Sequence, residues 1–186
     1  MFKLLIDTCV WIYLAKDYQQ QPLLAALEGL IQQGQVSLIL PRTVVDEFAR
    51  NKARTVEESR HSLSATLKRV KDVVQKLGDA KQKTLVIEEL SNLDHRLPTL
   101  GESVVESVGR IQRLFDTATV IDASDAIKLR ATDRAIEKRA PFHRQKNSID
   151  DAILIETYAE VIADKTAKNV RYAFVTHNVK DFSATM

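Results

Sequence analysis

The chain contains 186 residues, of which 45% are hydrophobic and 28% are charged, with 5 glycines, 4 prolines and a formal net charge of +2. This composition is typical of one globular domain and excludes disordered, collagenous and repetitive classes. No apolar run reaches the roughly 20 residues that span a bilayer, and Asp7 interrupts the opening run too early for a signal-peptide core. A single cysteine, Cys9, excludes an internal disulfide framework and a cysteine-rich zinc site. We therefore expect a cytoplasmic protein without membrane association.

The charges are segregated along the chain. Positions 42–83 contain 11 basic and 6 acidic residues, and positions 128–146 contain 7 basic and 2 acidic residues. Both blocks are therefore basic, whereas the rest of the chain is acidic. Basic segments that fold together bind polyanions through accumulated lysine and arginine contacts, but a solvated helix face explains the same pattern without a ligand. Charge alone leaves both interpretations open.

The first part of the chain predicts a strand, a helix and a second strand. Residues 2–6 form a short apolar run that ends at Asp7, and residues 36–40 form another run before Pro41. Between the two runs, apolar residues recur at helical spacing over 23–31. A helical crossover between strands favours a parallel sheet.

Helices are predicted through the middle of the chain. Apolar residues at alternating spacings of four and three predict a helix from Thr43 to Leu77. Further helices are predicted at about 81–93, 101–116 and 124–140. Pro141 stops the last of them. We interpret roughly 52–140 as a helical insertion without a strand, within a single domain that covers 1–186.

The last part of the chain predicts a helix from Ser148 to about Ala167 and a final strand over 172–175, followed by a polar turn. Together these elements predict an α/β fold, a three-layer α/β/α sandwich with a mainly parallel central sheet. In open parallel sheets the functional site lies beyond the carboxyl ends of the strands.

Four acidic residues lie at positions that this fold brings to that edge. Asp7 ends the first strand, and Glu47 lies in the first turns of the helix after the second strand. Asp151 lies in the first turn after Ser148, and Asp181 follows the last strand. Clustered carboxylates repel one another, so such a site is reasonable only when cations compensate the charge. Oxygen ligands without His or Cys select Mg²⁺ or Mn²⁺, which activate water for phosphodiester hydrolysis.

Each acid also has a local explanation. The segment from Ser148 to Asp151 matches a helix capping box, and Glu47 near a helix start favours the helix dipole. Asp7 and Asp181 are common residue types in turns. The shared placement of all four at strand ends, and not any one of them, favours a nuclease site.

Four motifs at these residues resemble those of the PIN-domain nuclease family, and more closely its bacterial members with an enlarged helical middle. In chain order they are Ile6-Asp7-Thr8-Cys9-Val10, Val44-Val45-Asp46-Glu47-Phe48, Ile149-Asp150-Asp151-Ala152-Ile153-Leu154 and Phe174-Val175-Thr176-His177-Asn178-Val179-Lys180-Asp181-Phe182. The order matches that of the family, and the motifs span about half of the chain. The interval of 104 positions between the second and third acids is much longer than in compact members of the family.

The resemblance implies a metal-dependent ribonuclease with Mg²⁺ or Mn²⁺ as its cofactor. The catalytic, metal-binding acids that it implies are Asp7, Glu47, Asp151 and Asp181. Asp150 is the second choice for the third acid, because the acid of the family is followed directly by a small residue, here Ala152. Thr176 and Asn178 are expected as supporting groups. A toxin-like role with an inhibitory partner protein is also implied.

We expect the helical insertion to form a clamp whose basic residues contact the phosphates of a nucleic acid, RNA in our leading hypothesis. Its first helix would contribute Arg50, Lys52, Arg54, Lys68, Arg69 and Lys71. The region nearer the third motif would contribute Arg134, Lys138, Arg139, Arg144 and Lys146. Residues at adjacent positions of a helix cannot all face the same groove.

Two other functions stay open. A phosphatase would use Asp7 as a covalent nucleophile, although Cys9 occupies the position where such sites commonly carry another acid. A non-catalytic module that binds nucleic acid or protein would keep the fold and use the acids as caps.

Several other residues are expected to serve the structure. Trp11, Tyr13 and Phe48 are predicted to pack near the core, with base stacking as the alternative. Cys9 is predicted as a packing thiol and His177 as a turn residue without a proton-transfer role. The apolar stripe over 63–77 is predicted to pack within the chain, with self-association into a homo-oligomer as the alternative.

Overall fold

The computed structural model describes residues 1–77, 79, 82–95, 97–143, 149–164 and 169–183, without the side chains at 18, 60, 63, 94, 95 and 97–101. The strands of this part of the chain are Phe2–Ile6 (β1), Val36–Pro41 (β2), Val120–Ile121 (β3) and Arg171–Val175 (β4). They form one parallel sheet in the order β3-β2-β1-β4. The carboxyl ends of β1, β2 and β4 therefore lie at the same edge.

Helices surround this sheet. In the described residues they are Thr8–Lys16 (α1), Gln21–Gln32 (α2), Arg42–Leu77 (α3), Lys83–His95 (α4), Leu97–Thr117 (α5), Asp125–Ile136 (α6), Ile149–Ala163 (α7) and Val179–Phe182 (α8), with a 3₁₀ turn at Tyr18–Gln20. The arrangement confirms the predicted α/β/α class with a parallel central sheet. None of these helices has both the length and the apolar character of a membrane-spanning segment.

Two predictions for the middle of the chain are wrong. The stretch interpreted as entirely helical contains β3, in which Val120 and Ile121 pair with Leu40 and Pro41. Two β-branched residues are too short a run to produce a recognisable strand pattern. The helix predicted to reach 140 ends at Ile136 because the chain turns there, and Lys138 adopts a left-handed conformation with φ of 53°.

The core fixes the helices that follow β1 and β2. Trp11 on α1 is 1% exposed, and its Nε1 donates a hydrogen bond of 3.0 Å to the carbonyl oxygen of Ile6. The rings of Trp11 and Phe48 each meet Phe115 edge to face, with centroid separations of 5.2 and 5.4 Å. The core prediction is confirmed for Trp11 and Phe48. It is wrong for Tyr13, which lies 42% exposed because it projects from the other side of α1.

The distal half of α3 does not bury its apolar stripe as predicted. Leu67 and Val74 are half-buried, whereas Val70 is 41% exposed and Leu77 is 83% exposed. The side chain of Leu63 lies outside the described residues. Packing within the described chain therefore covers only part of this stripe.

Candidate acidic site at the carboxyl edge of the sheet

Asp7 lies at the junction of β1 and α1, and its carboxylate bonds to side chains and not to the backbone amides of the helix. It holds the N-cap position of α1 but makes no side-chain capping bond. Instead, Oδ2 accepts a hydrogen bond of 2.7 Å from the Thr176 hydroxyl and one of 3.0 Å from Cys9 Sγ. The residue is only 5% exposed. Helix capping therefore does not explain an acid at this position.

The segment after β4 is bonded directly to Asp7. The Asp7 amide donates a hydrogen bond of 2.9 Å to the carbonyl oxygen of Val175. The amide of Asn178 donates at 3.0 Å to the Thr176 hydroxyl oxygen, which leaves the hydroxyl hydrogen for Asp7. The structure thus brings Thr176 and Asn178 to Asp7, and Asp181 follows on α8 with its amide bonded to the Asn178 carbonyl at 2.8 Å.

Glu47 lies in the second turn of α3, the helix that follows β2. It flanks the buried face formed by Val44 and Phe48 and is itself half-buried. Its carbonyl oxygen accepts a hydrogen bond of 2.8 Å from the side-chain amide of Asn51. Because β2 neighbours β1, Glu47 belongs to the same edge of the sheet as Asp7.

An ion pair connects this part of α3 with the start of α7. Arg50, one turn after Glu47, lies 3.7 Å from Asp150 between Nη2 and Oδ2. Both side chains are more than half exposed, so the pair contributes little to stability. Asp150 is exposed, whereas the neighbouring Asp151 is half-buried. The pair brings the third acidic motif next to the helix of the second.

Asp7, Glu47 and Asp181 lie at or after the ends of β1, β2 and β4, and Asp151 lies in the first turn of α7. In the part of the chain that the structure describes, no three His, Cys, Asp or Glu side chains are arranged to hold a metal ion. A cavity of about 580 Å³ lies elsewhere, lined by Met1, Lys3 and Val36 near the amino ends of the strands together with other residues. None of the four acids lines this cavity.

Cys9 is held as a thiol beside Asp7. Burial, followed by the hydrogen bond to Asp7, raises the pKa of Cys9 from 9.0 to about 11. A thiol with this pKa is almost entirely protonated at neutral pH and is a poor nucleophile. These surroundings favour the predicted packing role.

The predicted clamp residues differ in their surroundings. Arg54 donates a hydrogen bond of 2.8 Å to Asn51 and pairs with Glu58 at 3.4 Å, whereas Lys52 is half-buried. The clamp role predicted for Arg134 is wrong, because its guanidinium is 18% exposed and bonds to Glu156 and to the carbonyl oxygen of Ala140. Arg139 pairs with Glu137. Arg144 and Lys146 lie outside the described residues, as does the capping residue Ser148.

Two features of the described residues were missed in the sequence. Tyr13 and His177 form an exposed ring pair next to Thr176. No local sequence pattern predicts this pair. Glu156 is 6% exposed and bonds to both Arg130 and Arg134. The paired spacing of arginines on α6 and glutamates on α7 was the available signal for this second cluster.

Comparison with known families gives one match. A family model described as PIN domain matches residues 4–182. No curated protein and no solved structure matches the chain. PIN domains are generally nucleases, and PIN-domain nucleases generally use divalent metal ions. Because the match extends over nearly the whole sequence, this chain belongs to the PIN-domain family.

Proposed function

We propose that the protein is an endoribonuclease that depends on a divalent metal ion and hydrolyses RNA at the carboxyl edge of the sheet. The observation that carries the proposal is the buried carboxylate of Asp7. This carboxylate makes no helix-capping bond, and its Oδ2 accepts a hydrogen bond from Thr176. Its other oxygen, Oδ1, accepts no hydrogen bond from the described residues and is available for a cation or water.

The donor set fits Mg²⁺ or Mn²⁺, because all of its members are hard carboxylate oxygens. The residues that we propose as metal ligands and catalytic acids are Asp7, Glu47, Asp151 and Asp181. A bound ion of this kind lowers the pKa of water and stabilises the charge that develops on a phosphodiester. Carboxylates repel one another when no cation lies among them, so a bound cation would offset the repulsion among these four acids.

The chain itself would position the ligands and the RNA. Thr176 and Asn178 hold the Asp7 carboxylate in one orientation. Arg50, which is paired with Asp150, would meet a phosphate between the second and third acidic motifs. Lys52, Arg54, Arg144 and Lys146 complete the proposed phosphate path. A toxin-like role, an inhibitory partner protein and self-association are further proposals that follow from the family resemblance alone.

The decisive experiment is cleavage of a mixed RNA panel in Mn²⁺ by the parent chain and by Asp7→Asn. We expect the substitution to reduce the rate on the order of 100-fold or more, because it weakens a central metal ligand. Asp46→Asn is the matched control, since Asp46 is exposed and adjacent to Glu47. Equal cleavage by the parent and by Asp7→Asn would contradict the proposal.

A non-catalytic binding module is the competing function. Its specific support is the lack of three acidic or other ligand side chains arranged for a metal among the described residues. Such a module would bind RNA without cleaving it and would gain no stability from Mn²⁺. A phosphatase is less favoured, because the group that contacts Asp7 from α1 is the protonated thiol of Cys9 and not a second acid.

A further inference from the structure

An exposed aromatic pair lies beside the acidic edge and has no part in the proposed hydrolysis. The rings of Tyr13 and His177 meet edge to face, with centroids 4.9 Å apart and planes at 79°. Tyr13 is 42% exposed and His177 is also exposed. In this geometry the rings do not cover each other face to face, so aromatic faces stay open to a third planar group.

The pair is anchored from both sides. His177 directly follows Thr176, whose hydroxyl is bonded to Asp7. On the other ring, the Tyr13 oxygen accepts a hydrogen bond of 3.1 Å from Gln20. The rings are therefore held in place before any ligand arrives, which reduces the entropy lost on binding.

We propose that the Tyr13–His177 pair stacks an unpaired nucleobase of the RNA strand that is cut at Asp7. This inference rests on the proposed nuclease function and adds to it a contact site for one base of the substrate strand. Every base has a π face that an aromatic ring can stack on, whereas the bases of a duplex are already stacked on one another. Lys180, exposed on α8 three residues after His177, supplies a cation for the adjacent backbone phosphate.

The stacking site predicts a particular pattern of binding. With a chelator present to prevent cleavage, Tyr13→Ala should weaken the binding of a short single-stranded RNA by about 5- to 150-fold, the usual range for loss of one stacked base. Binding of the matching duplex should change by less than about 2-fold, because no base of a duplex reaches the rings. Tyr13→Phe keeps the ring but loses the bond from Gln20, so it should weaken single-strand binding much less than Tyr13→Ala does. His177→Ala should weaken single-strand binding in the same direction as Tyr13→Ala.

Phe2→Ala provides a matched control. Phe2 is also 42% exposed, but it begins β1 at the opposite edge of the sheet. This variant should bind single-stranded RNA like the parent. A 2-aminopurine base in the RNA gives a direct signal, since stacking quenches its fluorescence. The quenching should persist in Tyr13→Phe and in Phe2→Ala and disappear in Tyr13→Ala.

Several results would overturn the inference. These are equal weakening of single-strand and duplex binding in Tyr13→Ala, quenching that survives this substitution, and a parent chain that does not bind single-stranded RNA. Cleavage in Mn²⁺ separates this failure from that of the proposed function. If cleavage depends on Asp7 but Tyr13→Ala binds RNA like the parent, only the stacking site is refuted. If the base stacks on the rings but cleavage does not depend on Asp7, the proposed nuclease function is refuted.

Discussion

Thr176 donates a hydrogen bond of 2.7 Å to Oδ2 of Asp7, although 169 positions separate the two residues in the chain. The Asn178 amide donates to the same hydroxyl oxygen and so directs the Thr176 hydrogen toward the carboxylate. The contact joins the end of β1 to the segment after β4. It makes Thr176 a positioning residue for the acid on which the proposed chemistry depends.

Replacing Thr176 with valine should therefore impair cleavage while the fold persists. Valine keeps the shape of the side chain but removes the donor, and loss of such a supporting hydrogen bond typically reduces metal affinity or activity by about 10- to 100-fold. We expect Thr176→Val to lower kcat on single-stranded RNA in Mn²⁺ with little change in KM at saturating metal. Thr176→Ser, which retains the hydroxyl, should recover most of the rate. Equal impairment of the serine and valine variants would contradict a role for the hydrogen bond.

Mn²⁺ should stabilise the folded chain through the four acids. A ligand at 100 times its Kd adds about 2.7 kcal/mol, which corresponds to a rise in Tm of about 5 to 10 °C for a domain of this size. Asp7→Asn, Glu47→Gln, Asp151→Asn and Asp181→Asn should each reduce the rise.

The matched controls for this measurement are Asp46→Asn and Asp150→Asn. Both carboxylates are exposed neighbours of proposed ligands, and Asp150 is also paired with Arg50. Their variants should keep the full rise in Tm. A larger loss for Asp150→Asn than for Asp151→Asn would reverse the assignment of the third acid, and a parent chain without any rise would contradict the metal site.

The strands next to Asp7 were predictable because their signal is local. Apolar runs that end at Asp7 and Pro41 mark β1 and β2, and alternating apolar spacings mark most of α3. By contrast, the strand at Val120 and Ile121 depends on pairing with β2, which no two-residue pattern can express. The end of α6 likewise depends on a backbone turn near Lys138.

The candidate site also has a part that the sequence predicts and a part that it does not. Strand ends and parallel topology were enough to predict that elements bearing Asp7, Glu47 and Asp181 meet at one edge. The contact between Asp7 and Thr176 requires a particular register of β1 against β4, which sequence spacing does not determine. The exposure of Tyr13 was unpredictable for a related reason, since the neighbouring Trp11 fills the core on the other side of the helix.

Cys9 should react slowly with iodoacetamide. Burial and the bond to Asp7 raise the pKa of this thiol to about 11, so at pH 8 roughly one molecule in 1,000 carries the reactive thiolate, compared with about one in ten for a thiol at 9.0. We expect alkylation about 100-fold slower than that of a free thiol, rising about tenfold per pH unit toward pH 11. Mass spectrometry of timed samples measures the rate, with glutathione as the reference. A rate that levels off below pH 9 would contradict the raised pKa and reopen a nucleophilic role.

The buried cluster around Glu156 should make stability depend on pH. Arg130 donates a hydrogen bond of 2.9 Å to Glu156, and Arg134 bonds to its other carboxylate oxygen, so the cluster joins α6 to α7, the helix that carries Asp151. Burial raises the pKa of Glu156, but the hydrogen bonds from the two guanidinium groups outweigh it and leave the pKa below the usual 4.5. A carboxylate with a lowered folded-state pKa stabilises fully above its unfolded value and loses that contribution as the pH falls through the folded value.

Glu156→Gln should therefore lower the free energy of unfolding by about 2 kcal/mol at neutral pH, because it leaves the mostly buried Arg134 facing an uncharged partner, whereas Arg130 keeps Glu160. The difference in the free energy of unfolding between this variant and the parent should decrease as the pH falls below about 4.5, where Glu156 of the parent also begins to lose its charge. Urea unfolding across this pH range measures both effects. Glu160→Gln is the matched control on the same helix: Glu160 is 49% exposed and bonds to Arg130 alone, so its loss should cost at most about 1 kcal/mol. If the difference in the free energy of unfolding between Glu156→Gln and the parent stays constant with pH, the carboxylate charge of Glu156 does not hold α6 against α7.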